Sequence, residues 1–433
     1  MTEERRRGIG RLSALLRGIA VDTSALRDSR DFRLLTLGGF VSGLGTQVTL
    51  VALPYQVYVL TRSSFQVGLI GLAELLPLIA VSLVGGSLAD RMDRRRLLQI
   101  SQVAQLVVSA ALVLVTVTGP PPVGVLYALA GLAAAGAAID RPTRTAMLPN
   151  MVGPQRLRPA LAFNYGLYQL TMVVGPALGG VIIAVVGLGW AYTVDVATFL
   201  AMIVSVALIS PQPLPGGQEH EPVLAAIRKG LTFTWSKGEL MGSFAIDILA
   251  MTFGMPRALF PALALTVYGA GPAGVGLLYA AVSAGAVVAA FTTGWLTHAR
   301  RLGRIVVVAV AVWGVGIALA GLTTTLGVGM LCLAVAGAAD SVSAVCRSTI
   351  LQTVTPDPMR GRLSAIYSLV VAGGPRVGDV ESGTVAAAFG TQVSVVSGGL
   401  LCLAGILPIL AAFPEFWRYG DGDGGSAEPV PTV

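Results

Sequence analysis

Acidic and basic side chains stand in stretches of this sequence that are otherwise almost wholly apolar: Glu74, Asp195, Asp247, Arg257, Asp340, Arg376, Asp379 and Glu381. Asp140, Arg141 and Arg144 stand at the edge of another such stretch. A charge at mid-bilayer costs ~2.5–3.5 kcal/mol, so one that is kept there is paired or functional. Carboxylates mixed with guanidinium groups can move a proton without a cofactor. A neighbouring cation holds a carboxylate ionised, and losing that neighbour in an apolar setting favours protonation. Glu74, Asp247, Asp379 and Glu381 are accordingly the proton-coupling candidates, and Arg257, Arg376 and Asp340 the charge-pair or substrate-binding candidates. Arg376 and Asp379, three residues apart, share a helix face and are expected to pair. Glu381 lies ~140° round the helix from Arg376 and needs another partner or a proton. Asp140, Arg141 and Arg144 read as a salt-bridged anchor at the inner mouth of a span. The competing reading of the set is a static network that only glues helices.

Those charges need a membrane fold to hold them. The 433 residues are 54% hydrophobic and 12% charged, with a mean hydropathy of +0.77, which does not describe a soluble surface. A spanning helix takes ~20 mostly apolar residues. The apolar runs predict twelve, at 34–60, 66–88, 97–118, 124–140, 160–186, 189–209, 241–266, 272–296, 305–322, 327–346, 363–388 and 392–413. The expected fold is thus an all-α membrane protein. It comprises a basic segment over 1–33, six spans over 34–210, a central loop over 211–240, six spans over 241–413 and a disordered tail over 414–433.

Of the 29 Lys and Arg, 26 fall in segments assigned to the inner side, Arg62 alone in an outer loop, and Arg257 and Arg376 inside spans. That asymmetry follows the positive-inside rule and predicts a multi-pass protein of the cell membrane with both termini cytoplasmic. The net charge of +7 is therefore topological, and no nucleic-acid motif accompanies it. The first segment sets Arg5-Arg6-Arg7 ahead of Ile9, Leu12, Leu15, Leu16 and Ile19. It reads either as a basic tail or as a helix lying on the inner leaflet. Pro54, Pro77, Pro176, Pro256, Pro261 and Pro375 fall inside spans and are expected to kink them.

An internal repeat organises the chain. Gly175-Pro176-Ala177-Leu178-Gly179-Gly180 in span five is echoed by Gly374-Pro375-Arg376-Val377-Gly378-Asp379 in span eleven, 199 positions later. Ala135-Gly136-Ala137-Ala138 before Asp140 is likewise echoed by Ala336-Gly337-Ala338-Ala339 before Asp340, with Arg144 matching Arg347. Two six-helix halves flanking a central site is a common plan of secondary transporters. For Gly175, Pro176, Gly179 and Gly180 a helix-packing role alone accounts for the residue types.

The connection after span two, Gly86-Ser87-Leu88-Ala89-Asp90-Arg91-Met92-Asp93-Arg94-Arg95-Arg96, resembles the signature loop of the major facilitator superfamily. Asp93 stands where that family usually has glycine. A decayed copy, from Gly294 to Arg304, puts His298 in place of the aspartate. The resemblance implies two pseudo-symmetric six-helix bundles, alternating access, a small-molecule substrate and a monomer. It makes Gly86, Asp90, Arg91 and Arg94 a gating loop, with Asp90 latching against span eleven, and it makes Asp195, in a peripheral helix, a structural hydrogen bonder.

The stretch at Gly175–Gly180 resembles the superfamily's exporter motif, with Thr171 in place of its middle glycine. The run from Val51 to Leu69 resembles the siderophore-exporter and transmembrane-secretion-effector branch, whose members expel siderophores or drugs. Proton-coupled efflux of a small amphipathic molecule is the implied activity; a proton-coupled uptake symporter and a non-transporting sensor are the alternatives. In this superfamily spans two and eleven face one another. Glu74 lies roughly 12 Å and Arg376 roughly 18 Å from the outer end at the rise of a helix, so the resemblance implies a pair that closes with the outer mouth.

Enzymatic chemistry finds no parts. The sequence has no HExxH helix, no Gly-x-Ser-Gly nucleophile and no GxxxxGK[ST] loop for ATP, and Arg376 spoils a Gly-x-Gly-Asp aspartyl-protease motif. Cys332, Cys346 and Cys402 are isolated in apolar runs, and His220 and His298 fall in polar connections, so neither metal nor cofactor is expected.

Overall fold

In a membrane every backbone N–H and C=O must be satisfied within the protein, which leaves a chain this apolar little choice but helices. The computed structural model describes residues 24–211 and 223–420; the side chains of 24–25, 83–91, 223–227 and Thr297 lie outside the described residues. So do the basic run before Ser24 and the tail beyond Gly420.

Twelve membrane-length segments follow one another. The first six are α1 (Arg30–Thr61), α2 (Ser64–Arg91), α3 (Arg94–Val117), α4 (Val123–Met151), α5 (Leu157–Val186) and α6 (Leu188–Ala207). The second six are α7 (Gly238–Val267), α8 (Gly271–Thr292), α9 (Leu302–Leu322), α10 (Leu326–Val354), α11 (Asp357–Phe389) and α12 (Thr391–Ala412). Eleven are apolar enough to cross a membrane by composition. The exception, α11, has the length, 33 residues, but carries Arg376, Asp379 and Glu381 at its middle.

Within the first half, α1 packs on α5 and α6, α3 on α4 and α6, and α2 on α4; within the second, α9 packs on α10 and α12, α8 on α10, and α7 on α11 and α12. The halves meet along two seams, α2 with α11 and α5 with α8. At the opposite end of the bundle, which carries the described ends of the chain, α4 and α10 make no extended packing across the divide, nor do α5 and α11.

Three helices outrun the expected boundaries. α4 continues to Met151 and α10 to Val354, and α11 starts at Asp357, so Arg141, Arg144 and Arg347 are helical rather than in loops. Apolar runs report only the stretch facing hydrocarbon, whereas these helices continue on hydrogen bonds and i,i+4 pairs such as Asp140–Arg144.

α7 departs in the other direction. Its α-helix stops at Phe253 and resumes through a 3-10 turn at Arg257–Leu259, a short α-turn at Phe260–Ala262 and a π-turn at Leu263–Val267. Pro256, which has no N–H to offer, sits at the break, and Pro261 is harmless in the first turn of the restart. By contrast Pro54, Pro77, Pro176 and Pro375 lie in uninterrupted helices.

Two short helices flank the second half. Val223–Trp235, in the expected central loop, packs on α11. Pro414–Arg418 tucks Phe416, fully buried, against Gly242 of α7 and Gly303 of α9.

Candidate functional site

The seams are built backbone to backbone. A Cβ on Gly68 of α2 would lie 2.2 Å from the carbonyl oxygen of Asp379, and one on Gly276 of α8 would lie 2.2 Å from that of Pro176. Gly180 meets Gly276 in turn, while Gly175 and Gly179 face Gln47 and Val48 of α1. The glycine motif of α5 therefore packs its own half with one pair of residues and joins the halves with the other.

Beside the α2–α11 seam lies a charge cluster. Arg376 Nη2 sits 3.0 Å from Glu74 Oε2 across the divide, Arg376 Nε donates to the same oxygen at 3.1 Å, and Nη1 donates to the Ala372 carbonyl. The pair is partly exposed, at 23% and 29% of the side chains. The expected Arg376–Asp379 pair does not form. Asp379 instead turns to the break in α7 and accepts from the Ala258 N–H at 3.0 Å. It caps the restarted helix from outside, in the way an N-cap side chain does from within. Tyr279 of α8 donates its hydroxyl to the Arg257 carbonyl at 3.2 Å, which satisfies the other side of the break. The Arg257 guanidinium has Asp379 and Glu74 as electrostatic neighbours, yet no carboxylate within ion-pair distance among the described residues. Glu381 is half-buried and, as its angle on the helix predicts, stays outside the cluster.

A second cluster lies inside the second half. Arg347 of α10 pairs with Asp247 of α7 at 2.8 Å and stands 3.7 Å from Asp340, with the Tyr367 hydroxyl alongside. Arg347 and Asp247 are almost fully buried, whereas Asp340 keeps 32% of its side chain exposed. The sequence marked both aspartates but treated Arg347 as a loop charge; its match to Arg144 in the repeat was the available signal. The corresponding place in the first half holds Asp140 with Arg144 at 2.9 Å and the Gln102 amide at 2.5 Å. Arg141 does not join that pair. Its guanidinium lies 4.4 Å over the ring of Tyr168 on α5 and donates to the Tyr168 hydroxyl at 3.3 Å, a contact the sequence did not reveal. Asp195, 2% exposed, accepts from Thr49 and Ser109, each at 2.7 Å, which is the structural role expected of it.

Of the gating loop, Gly86, Asp90 and Arg91 lie in the stretch whose side chains are outside the described residues. Arg94 donates to the Ala146 carbonyl of α4 at 2.7 Å. Asp93, the departure from the signature, caps α3 by accepting from the Arg95 N–H at 2.9 Å, and its φ of −57° needs no glycine.

Two six-helix halves joined by two packed seams and by an ion pair across the divide have the architecture of the major facilitator fold. The family model of transmembrane secretion effectors matches residues 23–419, and the chain belongs to that family. It is 31% identical over 396 residues to the enterobactin exporter EntS of Citrobacter koseri, covering 90% of this chain and 94% of that one. It is 29% identical over 394 residues to EntS of Escherichia coli, with the same coverage. Among solved structures the fold is similar to a mutant of the nucleoside transporter NupG, at a TM-score of 0.75 and 11% identity over 88% of this chain and all of that one. It is also similar to an inward-facing, unoccupied bacterial homologue of the lysosomal transporter Spinster, at a TM-score of 0.69 and 14% identity over 92% and 97% of the two chains.

Proposed function

We propose that this chain is a proton-coupled exporter of a small amphipathic molecule, a siderophore or a drug, acting as a monomer by alternating access. The observation that supports it best is the Glu74–Arg376 pair beside a packed seam, with the opposite end of the bundle unpacked. With both termini cytoplasmic, as the distribution of basic residues argues, the packed end is the outer one and the structure is inward-open. Opening the outer mouth separates Glu74 from Arg376 and leaves an apolar-flanked carboxylate to take a proton, while Arg376 turns to Asp379. Arg257, whose guanidinium lacks an ion-pair partner among the described residues, is free for substrate, and the Asp247–Arg347–Asp340 cluster is the alternative proton site. Asp90, with Gly86, Arg91 and Arg94, latches the inner end when it closes, so Asp90→Asn slows transport steeply without impairing insertion. The enterobactin exporters among the relatives support the outward direction.

The test is flux in inside-out vesicles. Substrate accumulates only with an acid interior; accumulation that survives collapse of the gradient with ATP absent refutes proton coupling, and accumulation only in right-side-out vesicles establishes uptake instead.

A further inference from the structure

The mouth of the cleft in the first half carries one cation too many. Asp140 is already engaged by Arg144 and by Gln102, so the neighbouring Arg141 has no acid of its own among the described residues and rests on an aromatic ring. Its residue is exposed, although it lies ten residues, or about 15 Å, inside the end of α4.

The direction it faces follows from the helix packing. On α4, Gly131 abuts α2 and Arg144 reaches Ser42 of α1. At ~100° per residue Arg141 projects between those two directions, away from the face that Gly136 sets against α3. On α5, Gly175 and Gly179 meet α1 while Pro176 and Gly180 meet α8. Met172 falls between those directions, and Tyr168 and Tyr165 continue its stripe toward the unpacked end at helical spacing. The other side of α5 presents Leu170, Leu178, Val181 and Val185, all exposed apolar residues suited to lipid. Arg141, Tyr168 and Tyr165 therefore line the open side of the cleft between the halves. Tyr165 is 58% exposed and makes no hydrogen bond among the described residues.

We infer that Arg141, Tyr168 and Tyr165 form a recognition subsite for an organic anion with a planar aromatic face. The guanidinium supplies a directed fork for a carboxylate, sulfonate or phenolate, which a lysine would reproduce only as a point charge. The tyrosine rings supply a stacking surface that is apolar at its face and polar at its tip. The inference rests on the transport reading above and names the kind of substrate it takes.

Equilibrium binding to the purified full chain in nanodiscs tests it. The probes are fluorescent 1-pyrenesulfonate and the matched cation 1-pyrenylmethyl-trimethylammonium, each corrected against protein-free nanodiscs. The anion is expected to bind saturably and more tightly than the cation. Arg141→Gln weakens the anion by at least about tenfold, as expected for a lost charge-assisted contact, and leaves the cation unchanged, while Arg141→Lys falls between. Tyr165→Ala, which removes no tether between helices, weakens both probes and keeps the native thermal midpoint. Equal affinity for the two probes overturns the inference. So does an Arg141→Gln protein that loses thermal stability but retains the anion, which makes Arg141 a strut between α4 and α5. Binding is indifferent to direction and gradient, so an anion that binds here but is not accumulated by inside-out vesicles refutes the export reading and leaves the subsite standing.

Discussion

Arg376 and Asp379, three residues apart on α11, point their charges at different helices: Arg376 to Glu74 of α2 at 3.0 Å, and Asp379 to the Ala258 N–H of α7 at 3.0 Å. One helix thus holds the opposite half with one hand and the broken helix of its own half with the other. A shift of α11 that releases Glu74 disturbs the cap on α7 as well.

For the first contact, charge reversal is the measurement. Glu74→Arg and Arg376→Glu should each abolish transport, because each sets two like charges side by side in an apolar seam. The double mutant should regain part of the coupling, by an interaction energy of about 1–3 kcal/mol in a double-mutant cycle. A double mutant no better than the sum of the singles makes the pair incidental.

The second contact predicts a graded loss. Asp379→Ala removes the only acceptor that the described structure offers the Ala258 N–H, and should cost about 1–2 kcal/mol, the scale of a lost helix cap. Asp379→Asn keeps a neutral acceptor and should cost less. Thermal unfolding in detergent ranks the three proteins; equal midpoints for the two variants would show that the cap is not the source.

The two inner clusters should respond unequally although the repeat makes them counterparts. Arg347→Ala strands Asp247 in a nearly dry site, at about 3–5 kcal/mol, and should deplete folded protein. Arg144→Ala, at a pair 19% and 15% exposed with Gln102 still on Asp140, should cost less than that, because the carboxylate keeps a donor and some contact with solvent. Yields of monodisperse protein from matched cultures decide this.

The seam between α5 and α8 yields a trapping mutation. Gly276→Leu puts a side chain where the Pro176 carbonyl now sits, so the halves can no longer meet there. In a background freed of the native cysteines, Ser64→Cys, buried in the packed end, should then react with an impermeant maleimide several-fold faster. Unchanged labelling would mean that this seam does not control the outer mouth.

These contacts divide sharply by how far the sequence foretold them. Glu74 and Arg376 were legible as a pair because the resemblance sets spans two and eleven face to face and helical rise puts the two residues at depths that an arginine side chain can bridge. Asp379 was not legible, because spacing reports a shared face and not which of two competing partners is nearer; the uncapped Ala258 N–H, just past the break at Pro256, outcompetes the guanidinium. Pro256 foretold a kink but not that the helix would end three residues earlier and resume in three short turns. Eleven of the twelve spans were legible as apolar runs and α11 by its length, whereas the ends of α4, α10 and α11 were not, since polar residues continue a helix outside hydrocarbon without any apolar signal. The Arg141–Tyr168 contact depends on how α4 and α5 rotate about their axes, and nothing in either span alone states that.

The seat of Phe416 reaches back to the making of the protein. The first turns of α7 and α9 close on the segment after α12, α7 on the Phe416 side chain and α9 on the Phe416 backbone, so the second half cannot finish packing while that segment is still within the ribosome. Such distant pairings delay folding until the late partner is available. Nascent chains stalled before Pro414 should therefore leave the terminal turns of α7 and α9 open to protease, and a chain extended past Gly420 should close them. The membrane machinery must shelter an unfinished half-bundle for as long as translation of its own plug takes.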